Sequence, residues 1–172
     1  MTKDKGCRAC RDGAALDFDF TMAFQPIVDV GSGHVWAYEA LVRGPNGEPA
    51  GTILDQVTDA TRYQFDQAAR VKAIELAGRL LPGDSDTRLS INFMPNAVYE
   101  PNACIRASLE AARRVDFSYR RIMFEFTEQE RFQDIEHVKR IVAAYRQQGF
   151  LTALDDFGAG PAGVNLLANV RT

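Results

Sequence analysis

The chain has 172 residues, 46% of them hydrophobic and 25% charged, with a formal net charge of −3. That is enough for one domain with a real core and too little for two ordinary ones. No stretch is strongly basic, which argues against nucleic-acid polymers as partners, because their binding rests on clustered Lys and Arg. A small phosphorylated ligand, neutralised locally by a metal and one or two arginines, is still allowed.

No apolar run approaches the roughly 20 residues of a membrane span. The N-terminal MTKDKGCRACRDG is basic but has no apolar segment behind it, so it does not read as a secretory signal, and a cytoplasmic location is expected. Three cysteines are a poor basis for a disulfide framework. Cys7 and Cys10 form a CxxC, half of a zinc ligand set, with no second pair to complete it, and His34 and His137 stand far apart. Residues 1–18 therefore read as a polar lead-in with two reduced thiols, and residues 19–172 as the folded unit. A zinc or redox role for Cys7 and Cys10 is the alternative.

From there strands and helices alternate. MAFQPIVDV (22–30) and VWAYEALVR (35–43) read as strands joined across Gly31-Ser32-Gly33, a hairpin signal. A Gly- and Pro-rich loop (44–51) leads into a helical stretch from about Thr52 to Leu81, in one or two pieces, which Pro82-Gly83 stops. RLSINFM (88–94) is a strand, residues from about Asn102 to Arg114 a helix, and RIMFEFT (121–127) a strand. Residues 134–148 form a helix with Ile135, Val138, Ile141, Val142 and Tyr145 on one face and Gly149 as its stop. FLTALDD (150–156) is a strand, and PAGVNLLANV starts another helix.

Such alternation implies a parallel sheet, either open and doubly wound or closed into a barrel. The strands favour the barrel. Leu89, Ile91 and Phe93 share one face of their strand, and Ser90, Asn92 and Met94 the other. Ile122, Phe124 and Phe126 likewise oppose Met123, Glu125 and Thr127. An open parallel sheet is apolar on both faces. One bulky face and one face with an oxygen donor suit a barrel whose site lies at the strands' C-terminal ends.

Four strands carry such a donor at comparable depth: Glu39, Asn92, Glu125 and the pair Asp155-Asp156. Any of them alone would read as a solvated strand end, and Asp155-Asp156-Phe157-Gly158 as a turn into a helix. Together they are acids on neighbouring strands, costly unless something positive neutralises them. No lysine lies in these strands, and Arg43 cannot balance four acids. An all-oxygen set selects Mg²⁺, Mn²⁺ or Ca²⁺. Adjacent aspartates on opposite sides of a strand end could serve two ions about 3.5–4 Å apart.

These motifs resemble those of the EAL-domain cyclic di-GMP phosphodiesterases. Glu39-Ala40-Leu41 with Val42-Arg43 looks like the signature that names the family, and Phe24-Gln25-Pro26-Ile27-Val28 like its opening strand. Asn92 with Pro95, Glu125 in FEFTE, and DDFGAG at 155–160 follow in the family's order. The resemblance implies an α/β fold: a modified eight-stranded (β/α) barrel of TIM type with an antiparallel first strand. It implies hydrolysis of cyclic di-GMP to linear pGpG with Mg²⁺ or Mn²⁺, two ions in the complete domain. Glu39, Asn92, Glu125 and Asp155 would then be metal ligands, with Asp156 on the second ion, and Gln25 and Arg43 would contact the substrate. Glu39, Asp155 and Asp156 would carry the catalysis.

The family's barrel runs past residue 172, where a lysine and further acids would follow, so about five of eight strands are expected here. On that reading the chain alone is expected to be inactive, and pairing of open edges in a homodimer is one way to cover them. Pro161 and Gly44 depart from the family pattern, where an aromatic or similar residue and a Trp are usual. A non-catalytic module that binds cyclic di-GMP or a protein partner is the competing reading.

Overall fold

The computed structural model of the protein describes residues 16–83, 85–127 and 135–155. Cys7, Cys10, Asp156 and Pro161 lie outside the described residues.

Strands β1 (Thr21–Val28) and β2 (Val35–Arg43) pair antiparallel, with Gln25 opposite Glu39 and Thr21 opposite Arg43. Asp29 closes the turn: its Oδ1 accepts from the backbone N–H of Gly31 at 2.8 Å and of Ser32 at 3.1 Å. Gly33 follows at φ +71°, a conformation that glycine adopts without steric cost. Pro26 has no N–H to give to a ladder, and it sits in β1, an edge strand of the described sheet.

The helical stretch after β2 falls into two pieces, α1 (Ala50–Leu54) and α2 (Arg62–Leu80). β3 (Arg88–Asn92) is followed by a 3₁₀ turn (Pro95–Ala97). The expected helix near 102–114 is also two pieces, α3 (Pro101–Cys104) and α4 (Arg106–Arg114). Then come β4 (Ile122–Thr127), α5 (Ile135–Gln147) and β5 (Leu151–Asp155). Gly149, at φ +92°, ends the turn after α5, as its position predicts.

The five strands lie in sequential order, β2 to β5 parallel and β1 antiparallel. A doubly wound sheet would reverse its order at a switch point. Sequential order with helical crossovers is that of a (β/α) barrel, so the expected fold class holds, with the barrel incomplete among the described residues.

Packing decides which face of each strand looks inward. Leu89, Ile91, Ile122, Phe124 and Phe126 are at most 2% exposed. They join Ala73, Ile74 and Ala77 of α2 and Val138, Ile141, Val142 and Tyr145 of α5 in one core. Burying each large side chain contributes about 1.5–3 kcal/mol. A one-residue slip of β3 or β4 would turn all of these outward and the polar set into the core, so the register is strongly held. A second cluster joins Phe20, Ile53, Phe65 and Ala69, and Leu16 and Phe18 pack against it.

Candidate metal centre

Partners across parallel strands share a face. Glu39 pairs with Ser90, Asn92 with Glu125, Glu125 with Ala153, and Thr127 with Asp155. The register that buries Leu89 and Phe124 under the helices therefore turns Glu39, Ser90, Asn92, Glu125 and Asp155 to the opposite face. There one carboxylate oxygen each of Glu39, Glu125 and Asp155 lies within 4.8 Å of the others. The Asn92 side-chain amide donates to Glu39 Oε1 at 2.7 Å and fixes that carboxylate. Four of the five expected oxygen donors thus come together, and the fifth, Asp156, falls outside the described residues.

The electrostatics of the group are unfavourable by themselves. Burial pushes the Glu125 carboxyl above its ordinary value; the nearby Ser90 hydroxyl opposes the shift, and the charges of Glu39 and Asp155 push it further up. Ser90 Oγ is itself buried, with no hydrogen-bond partner at ordinary distance. Among the described residues none of the three acids is in an ion pair. Clustered carboxylates with no counter-charge and only oxygen ligands fit a hard divalent cation. Among the described residues this is also the one group of three or more His, Cys, Asp or Glu side chains arranged in this way.

Gln25 is exposed and, being in register with Glu39, stands on the same face of the hairpin. Arg43 shares that face four residue pairs further on, and its Nη1 donates to the Val42 carbonyl at 2.7 Å. Beside the carboxylates opens a cavity of about 810 Å³, with Leu41, Val42, Leu54, Asn92, Met94 and Asp155 in its wall. Gly44 sits in a tight turn whose amide donates to the Glu48 carbonyl at 2.9 Å. A Cβ at 44 would run into the Glu48 side chain, so any larger residue there requires Glu48 to shift. Cys104 is buried in α3, and its Sγ lies 3.4 Å from the Tyr63 hydroxyl.

Two residues near the site were not legible in sequence. Ser90 is one polar residue among many until pairing sets it beside Glu39. Asp66 lies within a helix, and nothing in its neighbours sets it apart. Its carboxylate is 3% exposed, and its Oδ1 accepts from the Met94 backbone N–H at 2.9 Å, two residues past Asn92.

Comparison with known proteins agrees with this geometry. The family model described as EAL domain matches residues 11–172. The chain is 31% identical over 169 residues to the blue light- and temperature-regulated antirepressor BluF of Escherichia coli, covering 98% of this chain and 41% of that protein. It is 27% identical over 150 residues to the cyclic di-GMP phosphodiesterase PA2567 of Pseudomonas aeruginosa, covering 82% of this chain and 25% of that protein. Among solved structures, a standalone EAL protein of Vibrio cholerae in its c-di-GMP-bound form superposes with a TM-score of 0.85 at 56% identity, over 92% of this chain and 65% of that one. BlrP1 of Klebsiella pneumoniae, solved as a manganese and cyclic di-GMP complex, gives 0.79 at 28% identity, over 88% of this chain and 38% of that one. The chain thus spans less than half the length of the two named relatives.

Proposed function

The chain belongs to the EAL-domain family, and on that footing we propose that it forms the cation-binding part of a cyclic di-GMP phosphodiesterase. The observation that carries this reading is the convergence of the Glu39, Glu125 and Asp155 carboxylates within 4.8 Å of one another, with no ion-pair partner among the described residues. Glu39, Asn92, Glu125 and Asp155 would hold one divalent ion, Mg²⁺ or Mn²⁺, and Asp156 a second. Bound there, such ions activate water and stabilise charge on the attacking and leaving oxygens of a phosphodiester.

The protein's own groups do the remaining work. Asn92 holds the Glu39 carboxylate in its ligating rotamer through the 2.7 Å hydrogen bond. Gln25 and Arg43 take the substrate, Arg43 as a two-pronged donor to phosphate once it releases the Val42 carbonyl. The apolar wall formed by Leu41, Val42, Leu54 and Met94 offers a surface for a purine base. The product would be the linear dinucleotide pGpG. Relatives solved with cyclic di-GMP, one of them with manganese, support both ligand and metal class. Among the described residues no helix is long and apolar enough to cross a membrane. We place the domain in the cytoplasm, where a nucleotide second messenger would meet it.

The test is hydrolysis of cyclic di-GMP by the complete EAL domain of which this chain forms part, with product separated chromatographically, in Mn²⁺, in Mg²⁺ and in excess chelator. Turnover is expected with either ion and none in chelator. Undiminished turnover in chelator, or a requirement for zinc, would overturn the assignment. The antirepressor name of one relative favours a second reading, a module that signals through a protein partner. Binding of cyclic di-GMP to the complete domain by calorimetry, with no product formed in Mn²⁺, would decide for that reading.

A further inference from the structure

We infer that Asp66 is a positioning residue for the metal centre: from α2 it holds the turn leaving β3 and thereby fixes Asn92. The inference rests on the proposed role of Asn92 as a ligand.

β3 ends at Asn92, and the next two amides are both committed. The Phe93 N–H donates to the Glu125 carbonyl at 2.9 Å, extending the β3–β4 ladder by one bond. The Met94 N–H donates to Asp66 Oδ1 at 2.9 Å. Pro95 has no N–H to give. The backbone just past Asn92 is therefore pinned at two points, one to the strand carrying Glu125 and one to a helix.

The helix end of this strut is itself held. The other Asp66 oxygen accepts from Arg70 Nη2, one turn further along α2, and Arg70 Nη1 donates to the Tyr145 hydroxyl of α5 at 2.9 Å. With its amide oriented to satisfy both partners, Gln67 accepts from Arg70 Nη2 at 2.6 Å and donates to the Cys104 carbonyl at 3.1 Å. Arg70 Cζ lies 5.9 Å from the centre of the Phe124 ring, whose strand neighbour is Glu125. Burial alone would lower the Arg70 pKa, but the Asp66 charge and the Tyr145 hydroxyl more than offset it, so the guanidinium stays charged.

A buried ion pair is a weak device for stability, since apolar residues of similar volume often do as well. Apolar residues could not, however, accept the Met94 N–H. Without an acceptor the half-buried Met94 amide loses its partner and the turn after Asn92 is free to shift. Groups that orient a metal ligand typically change metal affinity about 10–100-fold when removed.

The experiment compares two double variants that both lack the ion pair and differ only in the acceptor. In Asp66→Asn/Arg70→Met a carboxamide oxygen can still take the Met94 N–H; in Asp66→Ala/Arg70→Met nothing can. Mn²⁺ affinity is read by calorimetry or by paramagnetic resonance of the free ion, and Met94 amide exchange by NMR in chelator. The Asn variant is expected to bind Mn²⁺ within about threefold of the unaltered protein. The Ala variant is expected to bind about 10–100-fold more weakly and to show faster Met94 exchange. Should the Ala variant not fold, Asp66→Leu/Arg70→Met keeps the volume and makes the same comparison. Equal Mn²⁺ affinity in the two double variants, or equal Met94 exchange, would overturn the inference. Failure of the unaltered protein to bind Mn²⁺ would instead sink the metal centre, and this inference with it.

Discussion

Asp66 and Glu125 are both almost wholly buried, 3% and 8% exposed, yet their surroundings are opposite. Asp66 has its own cation in Arg70 and a backbone amide on its other oxygen. Glu125 faces Glu39 and Asp155, and both raise its pKa further. Where a chain supplies the counter-charge itself, the acid is part of the frame, and removing the partner is what does harm. Where it sets acid against acid, the desolvation cost is left open for a ligand to offset. The two arrangements lie behind and in front of one strand, which lets the first hold the second in place.

The contrast can be broken from either side. The largest effect is expected at Glu39, where Glu39→Ala in the complete domain should reduce kcat by on the order of 10³, measured as hydrolysis of cyclic di-GMP at saturating Mn²⁺. Arg70→Ala should cost about 3–5 kcal/mol in urea unfolding, because it strands a buried Asp66. A loss of under about 1 kcal/mol would show Asp66 is not a buried charge in need of a partner. On the site side the effect is reversed: Glu125→Gln should raise the melting temperature in chelator and abolish any rise on adding Mn²⁺. For the unaltered protein, Mn²⁺ at a hundred times its dissociation constant should stabilise by about 2.7 kcal/mol.

Smaller effects sharpen the same picture. In the complete domain Arg43→Ala should raise KM about tenfold while leaving kcat within about threefold, if the guanidinium holds phosphate equally in ground and transition state. A kcat loss larger than the KM rise would place Arg43 in the transition state instead. The smallest is a pH slope. Between the ordinary glutamate pKa and the raised value of Glu125, the folded protein keeps a proton that the unfolded chain has released. Metal-free stability should therefore fall as pH rises through that window, and Glu125→Gln should flatten the fall.

Much of this was legible in the residues. Leu89, Ile91 and Phe93 against Ser90, Asn92 and Met94, and Ile122, Phe124 and Phe126 against Glu125, announced a sheet with one helix-covered and one polar face. That pattern is local: a strand alternates its side chains whatever lies beside it. The hairpin was equally local, written in alternating apolar residues around Gly31-Ser32-Gly33, and the ordered motifs from Gln25 to Asp155 pointed to the family. The break at Ile105 in the second helical stretch was not legible, since periodicity sees apolar faces and not the turns between them.

What the tertiary structure decided was who meets whom. Glu39, Asn92, Glu125 and Asp155 are spread over more than a hundred residues, and only the register of four strands brings their side chains together. The register is held by burial of the opposite face, a property of the packed core rather than of any one strand. Asp66 makes the point more sharply. In sequence it is one acid in an ordinary helix. Its role depends on a backbone N–H 28 positions away, an arginine one turn on and a tyrosine from another helix. Hydrogen bonds across such separations leave no periodic trace, because the partners are chosen by chain geometry and not by the spacing of residue types.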